Sequence, residues 1–435
     1  MPSVRAKHEN GASPSSRAKR GIRCSLLPLL FALPAAAQKP AHATVVDRAR
    51  LARIDSVLDQ SVRDERLPGG VLLVLRDGQP MYERAFGWSD REAGRRMATN
   101  SIFRIASQSK AFTSAAILML AEEGKLSLGE PVGRYIPSFQ KTTVAIKTDT
   151  GRAIVPAKRA ITIRDLLNHT SGYSYGSDSL VSPLYAAKGL GPVAGMGGWY
   201  TADKNEPICT TMETVGTLPA VAQPGEAWVY GYNTDILGCV VEKASGLSLD
   251  AFLHARIIDP LGLKDTKFYV NPADRARLAT VYASDANNKA VRAPDGARGQ
   301  GHYVDGPRVS FAGGAGLTST AADYARFLEM IRLGGSVGGK HYLSPHSVEL
   351  MRTNQSSALY RADGSAGFGL GFEITERTLN YRPAGSYGWG GAYGSTYWVD
   401  PGERLTVVWL IQLMPNGSGV GGKIPALIYQ ALVSP

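Results

Sequence analysis

The chain has few cysteines, few histidines and a low share of charge. Three cysteines and seven histidines occur in 435 residues. No group of them has the spacing of a metal site, so no metal and no cofactor is expected. Charged residues make up 20% against 44% apolar, which excludes a disordered chain. Past the first forty residues no apolar run is long enough to cross a bilayer, so stable membrane insertion is not expected. No Lys/Arg stripe alternates with aromatics, which argues against a nucleic-acid partner. A small-molecule substrate is the expected partner, with the oligomeric state left open.

The N-terminal segment does not read as part of the fold. Arg17, Lys19, Arg20 and Arg23 precede an apolar run from Ser25 to Ala37. Basic residues followed by a short apolar run describe a signal peptide over residues 1–37. Small residues at Ala35-Ala36-Ala37, and again at Ala41-His42-Ala43, set cleavage after 37 or after 43. The expectation is export, to the periplasm or the medium. Without residues 1–37 the formal charge falls from +11 to +6, which is mild. Cys209 and Cys239 then remain. They could pair, but Cys239 lies in an apolar helical run and reads more simply as core.

Residues 45–435 read as one α+β domain. Leu51, Ile54, Leu58 and Val62 recur at helical spacing, giving a helix over 46–65. Val71–Arg76 and Pro80–Phe86 flank Asp77-Gly78, a hairpin signature. A helix runs from Ser107 to Glu123, stopped by Gly124. Further helices are expected at 234–246, 248–258, 319–333 and 423–433. Strands are expected at 369–375, 393–399 and 404–412. An α/β part from 45–115 and 300–435 would then enclose a helical, loop-rich insert over 116–299. The irregular stretch 173–223 is long enough to suggest that it covers a site.

Ser107-Gln108-Ser109-Lys110 is the first chemical candidate. Residues i and i+3 share a helix face, so the lysine amine can reach the serine hydroxyl. A serine is a weak nucleophile until a base takes its proton. Ser-x-x-Lys also occurs at Ser16–Lys19 and Ser138–Lys141, but only Ser107 follows a β-like segment and opens an amphipathic helix. Gly334-Gly335-Ser336-Val337-Gly338 fits Gly-x-Ser-x-Gly without the strand before and helix after that this motif needs, so it reads as loop. Tyr230, at the end of Pro224-Gly225-Glu226-Ala227-Trp228-Val229-Tyr230, could project from a loop-to-helix junction. Trp389-Gly390-Gly391-Ala392 precedes a strand, where glycines permit close approach of a ligand. The N–H groups of Ser107 and Ala392 would suit an oxyanion hole. His169 reads as a structural turn histidine.

Taken in order, these segments resemble the serine β-lactamase and penicillin-recognising hydrolase superfamily, on the class C side. The matching pieces are Phe103-Arg104-Ile105-Ala106-Ser107-x-x-Lys110, Ile161–Gly172, the segment ending at Tyr230, Gly313-Gly314-Ala315-Gly316-Leu317 and Trp389-Gly390-Gly391. The resemblance implies an antiparallel sheet flanked by helices, with the active site between this part and a helical part. It implies Ser107 as acylated nucleophile, with Lys110 and Tyr230 moving protons. Two positions depart from class C. Tyr232 stands where Tyr-x-Asn would have its asparagine, and Trp389 where a Lys-Thr-Gly motif would have its lysine. Trp-Gly-Gly is similar to family VIII carboxylesterases. The resemblance therefore implies a carboxylesterase on small esters, with Tyr232, Trp389, Gly390 and Gly391 as substrate contacts. A β-lactamase or D-aminopeptidase-type amidase is the alternative, and a non-catalytic penicillin-binding-like protein the third reading.

Overall fold

The computed structural model describes residues 44–194, 199–201 and 204–435. The expected signal peptide lies outside them. In chain order, the elements that place the site begin with α1 (Arg53–Arg63), β1 (Gly69–Arg76), β2 (Gln79–Asp90), β3 (Arg95–Arg96) and α2 (Ser109–Glu122). There follow β4 (Thr143–Thr148), β5 (Gly151–Pro156), α3 (Ile163–Leu167), α4 (Ile208–Gly216), α5 (Asn233–Ser245) and α6 (Ala321–Arg332). The last are β6 (Ala366–Phe368), β7 (Glu373–Thr375), β8 (Tyr387–Gly390), β9 (Thr396–Asp400), β10 (Leu405–Ile411) and α7 (Ile424–Tyr429).

Eight strands form one antiparallel sheet in the order β6-β7-β8-β9-β10-β1-β2-β3. Its centre joins the two ends of the chain, with Leu405 opposite Arg76 and Ile411 opposite Gly70. Both central strands are almost wholly apolar, Arg76 and Thr406 apart, because both faces are covered. Val71, Leu73, Val408 and Leu410 belong to the core shared with α2 and α6. Leu72, Val74, Val407 and Trp409 share the other core with Ile54 and Leu58 of α1 and Ile424 and Ile428 of α7. This two-residue alternation fixes the register, since a one-residue slip would exchange the faces.

The β1–β2 hairpin turns at Asp77 and Gly78, with φ of 51° and 74°, the left-handed pair its sequence demands. Helix α2 is buried from Ser109 to Leu120, so it lies inside the molecule, and the expected boundary at 115/116 falls within it. Three expectations change in detail. Of the strand expected over 369–375 only Glu373–Thr375, β7, is strand; residues 369–372, with Gly371 at φ 114°, turn the chain between β6 and β7. Thr143–Pro156, unassigned from sequence, forms the β4–β5 hairpin. Ser336-Val337 pairs with Lys340-His341 as a small hairpin rather than open loop.

The reading of Cys239 as simple core is corrected. Cys239 is indeed buried in α5, but α4 lays Cys209 against it, and the two form a disulfide with a Cα–Cα distance of 4.9 Å.

Candidate active site

Phe103-Arg104 pairs with Thr318-Ser319, and the chain then enters α2 through a single 3₁₀ turn, Ala106–Gln108. The turn is tight. Ala106 takes a φ of 44°, a region that non-glycine residues rarely adopt and that clusters at functional sites. It is pinned on both sides. Tyr324 Oη donates to the Gln108 carbonyl (2.9 Å), and the Leu317 N–H donates to Ser109 Oγ (3.0 Å). Ser107 is thereby held at the mouth of the helix.

Lys110 lies one turn on and is 2% exposed. Its Nζ donates to Ser107 Oγ (3.4 Å), Tyr175 Oη (3.0 Å) and the Gly314 carbonyl (2.8 Å). An ammonium has three donors, so each has an acceptor. The nitrogen also sits 4.6 Å above the Tyr230 ring. Behind it, the Gly314 N–H donates to Asp235 Oδ1 at 3.0 Å. A Cβ at Gly314 would come within 2.4 Å of Asp235 Oδ2, so only glycine lets this peptide bridge the carboxylate and the ammonium. Asp235 is wholly buried. Burial pushes its carboxyl up to about 6, with the Lys110 charge pulling the other way.

Tyr230 ends the loop before α5. Its Oη accepts from Trp389 Nε1 at 3.2 Å, and its ring stacks on Trp228 at 5.7 Å. His169, at a φ of 62°, packs its ring 5.0 Å from Tyr230 and 5.1 Å from Phe368. Burial, then the Lys110 charge, hold its imidazole well below the usual value, so it stays neutral. It makes no contact with Ser107 as a triad base would, and acts as a wedge behind Tyr230.

Ser107 and Tyr230 open onto a cavity of about 560 Å³, also lined by Trp389, Gly390 and Ala392. The Ala392 N–H has no hydrogen-bond partner among the described residues. Gly391 stands just behind the lining. Its N–H donates to the Ser395 carbonyl (2.8 Å), and a Cβ there would lie 2.6 Å from the Ile105 carbonyl. It lets the end of β8 sit against the serine turn rather than touch a ligand.

Tyr232 as a substrate contact is corrected. It is 0% exposed, packed between Tyr175 at 5.0 Å and Tyr185 at 6.4 Å, and it does not line the cavity. The backbone at Tyr232 already starts the turn into α5, which aims the side chain inward. Asn233 is equally occupied, its Nδ2 donating to Val229 O (3.0 Å) and Tyr173 O (3.3 Å).

Sequence reasoning missed Tyr175, Trp199, Tyr360, Glu373, Arg382 and Thr396, all of which line the cavity. The first two come from the 173–223 segment, whose length was the signal. A larger cavity, about 720 Å³, lies around Arg104 and His302. Size does not decide here, because among the described residues that line it there is no serine, cysteine or lysine.

The beta-lactamase family matches residues 54–430. The chain is 35% identical over 371 residues to protein Rv1367c of Mycobacterium tuberculosis, covering 80% of this chain and 87% of that one. It is 32% identical over 393 residues to esterase EstB of Burkholderia gladioli, covering 86% and 93%. Among solved structures, it is similar to EstCE1, a hydrolase with promiscuous acyltransferase activity. There the TM-score is 0.75 and the identity 27%, over 88% of this chain and 99% of the other.

Proposed function

The chain belongs to the beta-lactamase family, and from that premise we propose that it is a serine carboxylesterase that turns over small esters through an acyl-enzyme at Ser107. One observation carries the reading. Ser107, Lys110 and Tyr230 meet at one cavity, with the lysine hydrogen-bonded to the serine and its charge over the tyrosine ring.

Ser107 Oγ attacks the ester carbonyl carbon as its proton passes to the basic form of the Lys110–Tyr230 pair, in which the ammonium or the phenol has already given up one proton. The oxyanion that forms lies in reach of the Ser107 and Ala392 N–H groups, and such fixed donors stabilise charge that develops in the transition state. The tetrahedral intermediate collapses, the C–O bond breaks, and the alcohol leaves with the proton returned by the pair. Water then repeats the sequence on the acyl-enzyme, releasing the acid and restoring Ser107. Trp389 supports an ester over a β-lactam. An indole N–H given to Tyr230 stands where a lysine would have offered a charge.

Hydrolysis of p-nitrophenyl butyrate by wild type and Ser107→Ala, beside nitrocefin turnover, tests the reading. The expected loss is a thousandfold or more. Equal ester rates in the two proteins, or a much higher efficiency on nitrocefin, would sink it.

Export is part of the same proposal. The basic, apolar and small-residue segments over 1–43 support it, and so does the Cys209–Cys239 disulfide, a bond favoured outside the reducing cytosol. Intact mass of the protein recovered from its cell of origin should show removal of 37 or 43 residues. Full length there would count against export.

A further inference from the structure

We propose that Arg382 is a specificity-determining residue that binds a carboxylate on the substrate, so that the favoured esters carry a second, ionised acid group. The proposal rests on the esterase reading and names its substrate class.

The cavity that holds Ser107 is mostly aromatic. Among the described residues that line it, Arg382 is the one cation and Glu373 the one anion. Lys110 stands behind the serine, its three donors all engaged. Arg382 differs. Its Nε is buried with no hydrogen-bond partner among the described residues. Its ion pair with Glu373 is loose, at 3.9 Å from Nη2 to Oε1, beyond hydrogen-bond length. Glu373 is held elsewhere, since its Oε2 accepts from the Tyr360 hydroxyl.

A guanidinium offers five N–H groups in a planar fork that matches a carboxylate. The buried Nε is closed to a ligand, but the Nη end of the fork, held only by the loose Glu373 contact, is left for an acceptor that enters the cavity, and a hydrogen bond to a charged group there outweighs one between neutral groups. The Arg382 side chain is 22% exposed, sheltered enough that a charged pair there exceeds the small value of a surface ion pair.

Position fits as well. Glu373 pairs with Gly388, next to Trp389. The segment bearing Arg382 leads into β8. Trp389 leaves this wall without a lysine, and Arg382 returns a cation to the same cavity from the loop before it. Glu373 opposes the proposed anion, which gives the model a sign. Removing Arg382 must lower selectivity for an acid, and removing Glu373 must raise it.

Two matched pairs of esters test this on the purified protein. Monoethyl adipate and its primary amide place the group on the acyl side. The butyrate esters of 3-hydroxypropanoate and 3-hydroxypropanamide place it on the alcohol side. The readout is the ratio of kcat/KM for acid over amide, which cancels any loss common to both. In one pair, wild type should favour the acid about tenfold or more, the size of one charge-assisted contact. The ratio should fall to about one in Arg382→Gln and rise in Glu373→Gln. A wild-type ratio at or below one in both pairs overturns the proposal, as does a ratio that Arg382→Gln leaves intact. Calorimetric binding of the same four esters to Ser107→Ala reads the preference without turnover. If wild type hydrolyses neither the four esters nor p-nitrophenyl butyrate, the esterase reading fails, and the calorimetry still decides on Arg382.

Discussion

Ser107–Lys110 and Ser138–Lys141 share the same four-residue pattern, and both stand on 3₁₀ turns. Ser107 lies in the turn Ala106–Gln108 that opens α2, and Ser138 in the turn Pro137–Lys141. Their surroundings divide them. Lys110 enters the interior, finds three acceptors and sits over an aromatic ring. Lys141 is exposed, and the Ser138 N–H donates to Glu213 Oε2 at 3.1 Å as part of a local turn. Reactivity needs a lysine taken out of water and aimed at the serine. A helix continuing past the serine supplies that by carrying Lys110 under the sheet. A turn that ends at its lysine leaves the amine in solvent.

Paired substitutions break the comparison most sharply. Lys110→Ala should cost ester turnover a factor of roughly 10²–10⁴, the usual worth of a proton-transfer group. Lys141→Ala should stay within about twofold of wild type, as surface changes do. Ser107→Ala and Ser138→Ala should separate even further. The check is kcat/KM for p-nitrophenyl butyrate on all four proteins, with circular dichroism to confirm folding. Similar losses at the two sites would mean that burial at α2 does not set the chemistry.

The same contrast explains what could be read from sequence. The nucleophile turn was legible because a β-like segment, a serine and an amphipathic helix follow one another. The centre of the sheet was legible because Asp77-Gly78 and the apolar runs at both chain ends have local signatures. Tyr232 was not. Its motif position falls where loop becomes helix, and there one residue of helix phase decides whether a side chain meets the cavity or the core. The disulfide depends on α4 packing against α5, a tertiary fact that no spacing of Cys209 and Cys239 encodes. Tyr360, Glu373 and Arg382 reach the cavity from three separate segments with no shared period. The serine and its lysine belong to one local pattern, while the far wall is assembled from distance.

Asp235 sharpens the comparison from the stability side. Ser107–Lys110 has a buried carboxylate behind it, joined through the Gly314 peptide. Its Oδ2 has no hydrogen-bond partner among the described residues. Burial raises the folded value to about 6 from an ordinary 3.8. Between those two values the native state holds a proton that the unfolded chain has released. Stability therefore falls as pH rises through the window and is level above it. The two values set the penalty at neutral pH at roughly 3 kcal/mol. Asp235→Asn keeps the shape and removes the ionisation. Urea unfolding at pH 4 and pH 7 reads the effect as a difference of differences, because at pH 4 the native carboxyl is neutral like the amide. The variant should gain on wild type by roughly 2 kcal/mol over this span, because at pH 4 the unfolded carboxyl is already partly ionised. A constant gap across the two pH values would show that Asp235 stays unprotonated behind Lys110, with the lysine charge outweighing burial.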